Sequence, residues 1–266
     1  MNFLQAVILG VVEGLTEFLP VSSTGHLILA ARRLGLHGEA IKTYEVVIQA
    51  GALAAVVGLY WPAVLSIGRG VFGKDKKGRR LFLNLLCSFA PVGAVGFFFH
   101  DLIKEKLFGP WPVVWALAAG GVVMIAIDLR LGKKLIKSKR TLDSITGREA
   151  LIIGLAQCLA LWPGTSRAMV TLAAGMLLGL PAVVSAEYSF LLALPTLGAA
   201  TLLDMGLGGP ELIRSFGWPA VAAGFISAMV VAAVAISSFI RYLTSRGLAP
   251  FGWYRIGLAL AVLFFA

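Results

Sequence analysis

The sequence predicts an all-α polytopic membrane protein with an inverted-topology repeat, in which each half is a re-entrant helical hairpin plus three transmembrane helices. Three observations support this prediction. First, 59% of the 266 residues are hydrophobic and only 14% are charged, which is far more apolar than a soluble domain. Second, apolar runs of helix length recur along the whole chain. Third, two further apolar runs are interrupted by a proline and by polar residues. We therefore expect one integral membrane domain over 1–266.

Six apolar runs are long enough to cross the hydrocarbon core of a bilayer, which takes about 20 residues of α-helix. They lie near 43–68, 81–100, 111–131, 182–203, 217–240 and 248–266. The segments 2–18 and 22–36 are shorter and are separated by a proline, as are 150–162 and 166–180. Irregular backbone at membrane depth is tolerated only inside the protein or along a wet cavity. Each of these two pairs is therefore predicted to form a re-entrant hairpin.

The basic residues indicate the topology. The chain has a net charge of +10, and its 23 Lys and Arg residues are concentrated in three loops. Residues 69–80 contain six of them, 130–148 contain seven and 241–246 contain two. Cytoplasmic loops carry such an excess, so these three loops are predicted to face the cytoplasm and both termini to face outward. Basic loops could also bind nucleic acid, but in this context they indicate topology, and we expect no nucleic-acid partner.

Two short matches indicate that the two halves are related. Residues 14–17 (Gly-Leu-Thr-Glu) resemble residues 154–157 (Gly-Leu-Ala-Gln), and residues 45–55 resemble 187–200 at nearly the same offset. The charge pattern would orient the halves oppositely across the membrane. Broken helices in inverted repeats are typical of transporters, so the architecture alone does not distinguish an enzyme from a carrier. The predicted repeats cover about 1–131 and about 149–266.

The first interrupted segment carries two carboxylates at membrane depth. Glu13 and Glu17 are four residues apart, so they lie on one face of a helix. Ionisable groups are rare inside membranes and are usually functional, and two neighbouring carboxylates repel each other strongly in a low dielectric. A shared proton, a cation such as Arg167 or a divalent metal would relieve this repulsion. Carboxylate oxygens suit Mg²⁺ or Ca²⁺, with phosphate oxygens completing the shell, so Glu13 and Glu17 are candidate metal ligands.

Each proline break is followed by hydroxyl side chains at the start of the next helix. After Pro20 come Ser22, Ser23, Thr24 and Gly25, and after Pro163 come Gly164, Thr165, Ser166 and Arg167. A single hydroxyl at such a position commonly caps the helix. Several of them together with a helix N-terminus also form a phosphate-binding site. Arg167 adds a planar, permanently charged group suited to phosphate, although it could instead pair with a carboxylate.

His26 follows Ser22 and Ser23 on the same helical face. A histidine beside a hydroxyl can take its proton or can act as the nucleophile itself. A packed, hydrogen-bonded histidine without a chemical role is the alternative.

These motifs carry a resemblance to a known family. Residues 13–26 (Glu-Gly-Leu-Thr-Glu-Phe-Leu-Pro-Val-Ser-Ser-Thr-Gly-His) and 163–167 (Pro-Gly-Thr-Ser-Arg) resemble the two signatures of the bacterial undecaprenyl-pyrophosphate phosphatases of the bacitracin-resistance type. The resemblance covers essentially the whole chain, including residues 44–49 (Tyr-Glu-Val-Val-Ile-Gln). The second signature is usually followed by Ser-Gly in that family, whereas Ala168 and Met169 follow here. The resemblance therefore assigns no role to a hydroxyl after Arg167.

The resemblance implies an activity, a location and a cofactor. The activity is hydrolysis of undecaprenyl pyrophosphate to undecaprenyl phosphate and inorganic phosphate at the outer face of the bacterial plasma membrane. This reaction recycles the carrier lipid for peptidoglycan synthesis and confers bacitracin resistance. A divalent cation at Glu13 and Glu17 is implied, with Arg167 neutralising the pyrophosphate. The implied partners are the prenyl pyrophosphate lipid and the lipids of the membrane.

The predicted catalytic residues are Glu17, Ser23, His26 and Arg167, and the predicted phosphate-binding residues are Ser22, Thr24, Gly25, Thr165, Ser166 and Arg167. Ser23 is the first choice of nucleophile, with its proton taken by His26 or by a carboxylate. A metal-activated water and His26 itself are the alternatives. The alternative function is a carrier or flippase for prenyl phosphate, alone or in addition to hydrolysis, because the predicted repeat is also typical of transporters.

Overall fold

The structure is a computed structural model that describes residues 1–107, 110–135 and 138–265. Within these ranges all regular secondary structure is helical, which confirms the predicted all-α class. The α-helices are α1 (Phe3–Thr16), α2 (Ser23–Arg33), α3 (Glu39–Leu59), α4 (Trp61–Val71), α5 (Lys76–Leu107), α6 (Pro110–Leu135), α7 (Gly147–Gln157), α8 (Arg167–Leu177), α9 (Ala182–Leu243) and α10 (Ala249–Phe265). Two short 3-10 helices cover Leu142–Ser144 and Cys158–Leu161.

Five helical segments of the described chain are long and apolar enough to cross a membrane. They are Ala40–Leu59, Lys76–Phe99, Trp111–Gly132, Ala182–Leu203 and Glu211–Leu243. The sequence predicted six such spans, and two of those predictions were wrong. The run 43–68 is divided at Tyr60, because Pro62 lies in the first turn of α4 and cannot continue the hydrogen-bonding pattern of α3. The run 248–266 forms α10, which has 17 residues and is shorter than the other five segments.

Two helices begin with a capping box, in which two side chains satisfy the free backbone N–H groups of the first turn. Asn2 and Gln5 form the box at the start of α1, and Thr146 and Glu149 form it at the start of α7. Arg140 lies 2.8 Å from Glu149 in an ion pair. Its hydrogen bond is the main reason that the pKa of Glu149 is lowered to about 2. Glu149 is therefore ionised at neutral pH and can accept from the backbone N–H of Thr146 at the start of α7.

Both predicted hairpins form helix–break–helix units. Helix α1 is followed by a break over 17–22 and by α2, and α7 is followed, after the second 3-10 helix, by a break over 162–166 and by α8. Ser22 (φ 73°) and Ser166 (φ 70°) are the two non-glycine residues of the described chain with positive φ. This conformation is costly for a residue with a side chain and persists where the surrounding structure holds it, often at functional sites. Re-entrance into a membrane stays a prediction.

Positions of positive φ recur along the chain at a constant spacing. Ser22 and Ser166 are 144 residues apart, and so are Gly35 and Gly179, and Gly73 and Gly217. Gly217 is also the point at which α9 kinks. The backbone therefore leaves the usual region of φ at matching points in the two halves.

The packing of the two hairpins matches in the same way. Helix α1 packs on α9, and α7 packs on α5. A Cβ atom on Gly14 would lie 2.9 Å from the backbone nitrogen of Ala232, and one on Gly154 would collide with the backbone of Ser88. Ser88 and Ala232 are again 144 residues apart. The first helix of each helix–break–helix unit thus packs against a long helix from the other part of the chain, and residues of both breaks line one cavity.

Candidate active site

The two breaks line one polar cavity of about 190 Å³. The first half contributes Glu17, Ser22, Ser23, Thr24, Gln49 and Val92, and the second half contributes Gln157, Ala160, Leu161, Trp162, Pro163, Gly164, Ser166, Arg167, Thr196 and Leu197. Predicted site residues from positions about 140 apart in the sequence are therefore neighbours in the fold.

Glu17 joins the two halves of this cavity. Ser23 Oγ donates a hydrogen bond to Glu17 Oε2 over 2.6 Å, and Arg167 Nη2 donates to Glu17 Oε1 over 3.2 Å. The Glu17 side chain is only 6% exposed and that of Arg167 only 9%, so the ion pair is shielded from solvent. The carboxylate thereby orients a hydroxyl and a guanidinium toward the same space, which is the arrangement required to activate a nucleophile beside an anion site.

Arg167 is held by α9 and by the first break. Its Nη1 donates to the carbonyl oxygen of Ser189 over 2.9 Å, and its Cζ lies 5.5 Å from the centre of the Phe18 ring. Its Nε is buried and has no hydrogen-bond partner in the described structure. Since guanidinium nitrogens can only donate, this N–H group is available to an acceptor in the cavity, such as a phosphate oxygen.

Glu13 lies one helical turn before Glu17 on α1 and is only 1% exposed. It interacts electrostatically with Glu17, Glu45 and Arg167. Its Oε2 is buried without a hydrogen-bond partner. In the described part of the chain, no three His, Cys, Asp or Glu side chains are grouped closely enough to hold a metal by themselves. Carboxylate oxygens are of the kind that Mg²⁺ and Ca²⁺ bind. Glu13, however, hydrogen-bonds to Glu17 and is not among the residues that line the cavity, so a cation held by both carboxylates stays a prediction.

In the described structure the ring nitrogens of His26 bond to groups other than the Ser23 hydroxyl. His26 Nδ1 bonds to the backbone carbonyl of Ser22 over 2.8 Å, so Nδ1 carries the hydrogen of the ring. His26 Nε2 lies 2.7 Å from the hydroxyl of Tyr254, on which the ring also stacks. In this arrangement Glu17, not His26, contacts the Ser23 hydroxyl. His26 holds the strained Ser22 backbone instead.

The remaining predicted phosphate-binding residues divide into two groups. Ser22, Thr24 and Ser166 line the cavity, and the Ser166 side chain also caps α8 by accepting from the Met169 N–H. Gly25 and Thr165 line neighbouring grooves instead. A role for these two residues in phosphate binding stays a prediction.

Sequence reasoning missed the structural role of Arg255. This side chain is completely buried, and its guanidinium donates to four backbone carbonyl groups. They belong to Leu117 (3.3 Å) and Ala116 (3.0 Å) in α6, to Pro20 (3.3 Å) in the first break and to Gly164 (3.0 Å) in the second. Arg255 therefore ties both breaks together from behind the cavity. The available signal was a lone arginine inside the apolar run 248–266.

The fold and this site define a multi-pass helical membrane protein with a cavity whose wall includes hydroxyl groups, a carboxylate and an arginine. The chain belongs to the family described as bacitracin resistance protein BacA, whose model matches residues 6–261. Two curated relatives are both called undecaprenyl-diphosphatase. The relative from Sorangium cellulosum is 47% identical, over 99% of this chain and 86% of its own. The relative from Maridesulfovibrio salexigens is 45% identical, over 99% and 98%. These matches confirm the resemblance found in the motifs.

Proposed function

We propose that this chain hydrolyses undecaprenyl diphosphate to undecaprenyl phosphate and inorganic phosphate. The observation that carries the proposal is the convergence of Glu17, Ser23 and Arg167 in one cavity. A carrier that only binds a phosphorylated lipid requires a positive group such as Arg167. It does not require a hydroxyl that is hydrogen-bonded to a carboxylate. The names of the two relatives agree with this activity.

In the proposed mechanism, Ser23 Oγ attacks the terminal phosphorus and its proton passes to Glu17 Oε2, 2.6 Å away. The bond between the terminal phosphorus and the bridging oxygen breaks, and prenyl monophosphate leaves. Water then hydrolyses the phosphoserine, which restores Ser23 and releases inorganic phosphate. Arg167 stabilises the negative charge on the phosphoryl oxygens. His26 is a weaker choice of nucleophile than Ser23, because both of its ring nitrogens are engaged. A metal-activated water is the remaining alternative.

We propose Glu13 and Glu17 as the residues that hold a divalent cation, Mg²⁺ or Ca²⁺, together with the diphosphate. Such an ion would neutralise charge on the phosphate oxygens. The buried, unpartnered Oε2 of Glu13 supports this assignment, because a buried carboxylate oxygen is costly unless something binds it.

The proposal includes the architecture and the location inferred from the charge pattern. The constant spacing of 144 residues and the reciprocal packing of the hairpins support an inverted repeat. With the three basic loops in the cytoplasm, the first hairpin opens outward and both termini lie outside. The reaction would then occur at the outer face of the bacterial plasma membrane. There it would recycle the carrier lipid for the cell wall and confer bacitracin resistance.

An apolar groove beside the cavity provides room for the prenyl chain. It lies between α6 and α8, measures about 380 Å³ and shares Trp162 with the polar cavity. Its wall includes the exposed Ala119 together with Val123, Ala173 and Leu177. A lipid whose diphosphate lies in the cavity can extend its apolar chain along this groove without burying polar atoms against it.

Ala119→Trp should fill part of this groove and raise the KM for undecaprenyl diphosphate while leaving that for farnesyl diphosphate nearly unchanged. The tryptophan should displace about two methylene groups of the prenyl chain from the groove, at about 0.8 kcal/mol each, which corresponds to a roughly tenfold higher KM. Val122→Trp is the matched control, because Val122 is exposed on the same helix but does not line the groove. Equal KM changes for both substrates, or for both variants, would show that the prenyl chain does not lie in this groove.

The function is tested by measuring phosphate release from undecaprenyl diphosphate by the purified protein in detergent, with Mg²⁺ or Ca²⁺ and then with a chelator. We expect release in the presence of metal and its loss after chelation, with recovery on adding metal back. Phosphate release that persists in the chelator would show that the reaction needs no divalent cation. Absence of release, with lipid binding that still depends on Arg167, would instead support the carrier function.

A further inference from the structure

Gln157 is a buried polar residue of the cavity whose side chain has no partner among the described residues. It is the last residue of α7, is 0% exposed and lines the cavity between the two breaks. Neither its Nε2 nor its Oε1 has a hydrogen-bond partner in the described structure. Buried side-chain amides are nearly always paired in folded proteins, because an unpaired buried group is costly. Among the described residues, both polar atoms of this amide are therefore left for a ligand or for water.

The place of Gln157 in the fold is the counterpart of that of Glu17. Glu17 is the C-cap of α1 and Gln157 is the last residue of α7. Each follows a Gly-Leu pair by two residues. Glu17 is anchored by Ser23 and Arg167, whereas the Gln157 amide is left free. At these corresponding positions the first half therefore has a carboxylate, which repels an anion. The second half has a neutral amide, which can donate two N–H hydrogens to an anion.

A second unpartnered donor lies in the same cavity. Arg167 Nε is buried and has no acceptor in the described structure, although both Nη atoms of this guanidinium are engaged. The unused groups of the cavity therefore include a charged N–H and an amide NH₂. This pair suits an oxyanion with several acceptor oxygens better than it suits a cation.

We propose that Gln157 contacts the substrate by donating a hydrogen bond from Nε2 to a phosphoryl oxygen of the diphosphate. This inference rests on the proposed function for the identity of the ligand. The carboxylate at the corresponding position of the first half could not take this role, because it has no hydrogen to donate and would repel the anion. At these two corresponding positions, Glu17 thus activates the Ser23 hydroxyl, whereas Gln157 binds the phosphate.

The test uses Gln157→Leu and Gln157→Glu in the full-length protein. Loss of a hydrogen bond to a charged group corresponds to roughly 10- to 100-fold, so Gln157→Leu should lower kcat/KM for undecaprenyl diphosphate by that factor. Gln157→Glu should lower it further, because the added carboxylate repels the diphosphate. The melting temperature of Gln157→Leu should equal or exceed that of the unchanged protein, since an unpaired buried amide is removed. A residue that only supports the fold would lose stability and activity together.

Ser185→Ala is the matched control. Ser185 is also buried with an unpartnered side-chain oxygen, but it does not line the cavity, so this variant should retain full activity. A kcat/KM for Gln157→Leu equal to that of the unchanged protein would overturn the proposal and show that only water pairs with the amide.

A binding measurement separates this inference from the proposed function. Inorganic pyrophosphate should raise the melting temperature of the unchanged protein and of Ser185→Ala. The increase should be much smaller for Gln157→Leu. If the protein released no phosphate from the lipid while this difference remained, hydrolysis would be wrong and the anion contact would stand. Equal stabilisation of Gln157→Leu and the unchanged protein by pyrophosphate would contradict the contact itself.

Discussion

Glu17→Gln is expected to lower the rate of phosphate release from undecaprenyl diphosphate by on the order of 10³-fold. The amide is nearly the same size as the carboxylate, so packing should be retained. It cannot take the proton of Ser23, and it removes the negative partner of Arg167. A proton acceptor within 2.6 Å of the hydroxyl is therefore lost at the same time as the ion pair. Rates should be measured at saturating and at limiting substrate, because we expect a loss in kcat.

Glu211→Gln provides the matched control for this experiment. Glu211 is an exposed carboxylate whose described contact is a hydrogen bond from Ser215, so its replacement should leave turnover unchanged. Ser23→Ala should reproduce the loss seen in Glu17→Gln, and the double variant should be no slower than either single variant if both act in one step. Turnover above about one tenth of the original rate in Glu17→Gln would exclude the carboxylate as the acceptor of the Ser23 proton.

Arg255→Met is expected to lower both the melting temperature and the turnover. The side chains are similar in length, but Met cannot donate, so the carbonyl groups of Pro20 and Gly164 would be left without their Arg255 hydrogen bonds. Each unsatisfied buried group costs about 1–3 kcal/mol. Because the two breaks lead directly into Ser23 at the start of α2 and Arg167 at the start of α8, their separation would also disturb the cavity. Thermal unfolding followed by tryptophan fluorescence and phosphate release should be measured on the same preparation.

Arg255→Lys should recover part of the stability, because an ammonium group can reach one or two of the four carbonyl groups but not all of them. Arg241→Met changes an exposed arginine at the end of α9 and should alter neither quantity. If Arg255→Met unfolded at the original temperature and turned over normally, the two breaks would be held by other contacts and the role assigned to Arg255 would be wrong.

The positions of the breaks followed directly from the sequence. Pro20 and Pro163 cannot continue a helix, and the hydroxyls behind them favour a new helix start. The structure begins α2 at Ser23 and α8 at Arg167, as these local preferences require. The prediction of one span over 43–68 was wrong for a related reason. It used the hydrophobicity of the run but not the helix-breaking effect of Pro62.

The sequence left the partner of Ser23 open between His26 and a carboxylate, and the structure shows the carboxylate of Glu17. Helical spacing places His26 on the face of Ser22 and Ser23, and the structure does join His26 to Ser22, but through the backbone carbonyl. The positive φ of Ser22 turns the chain just before α2. This turn allows the Ser23 hydroxyl to reach back to Glu17 in α1. A spacing rule that holds within one helix cannot describe a contact made across a break between two helices.

The sequence alone determined the membrane class, the two broken segments and the types of groups that the site contains. These follow from local quantities: the hydrophobicity of each run, the helix-breaking effect of proline and the cost of placing ionisable groups in lipid. Only the tertiary structure decided that Glu17 contacts Ser23 and Arg167, that Arg255 ties the two breaks and that Gln157 is left unpaired. The Arg167 and Arg255 contacts and the isolation of Gln157 depend on distances between residues far apart in the chain, which the packing of each hairpin against the other half sets.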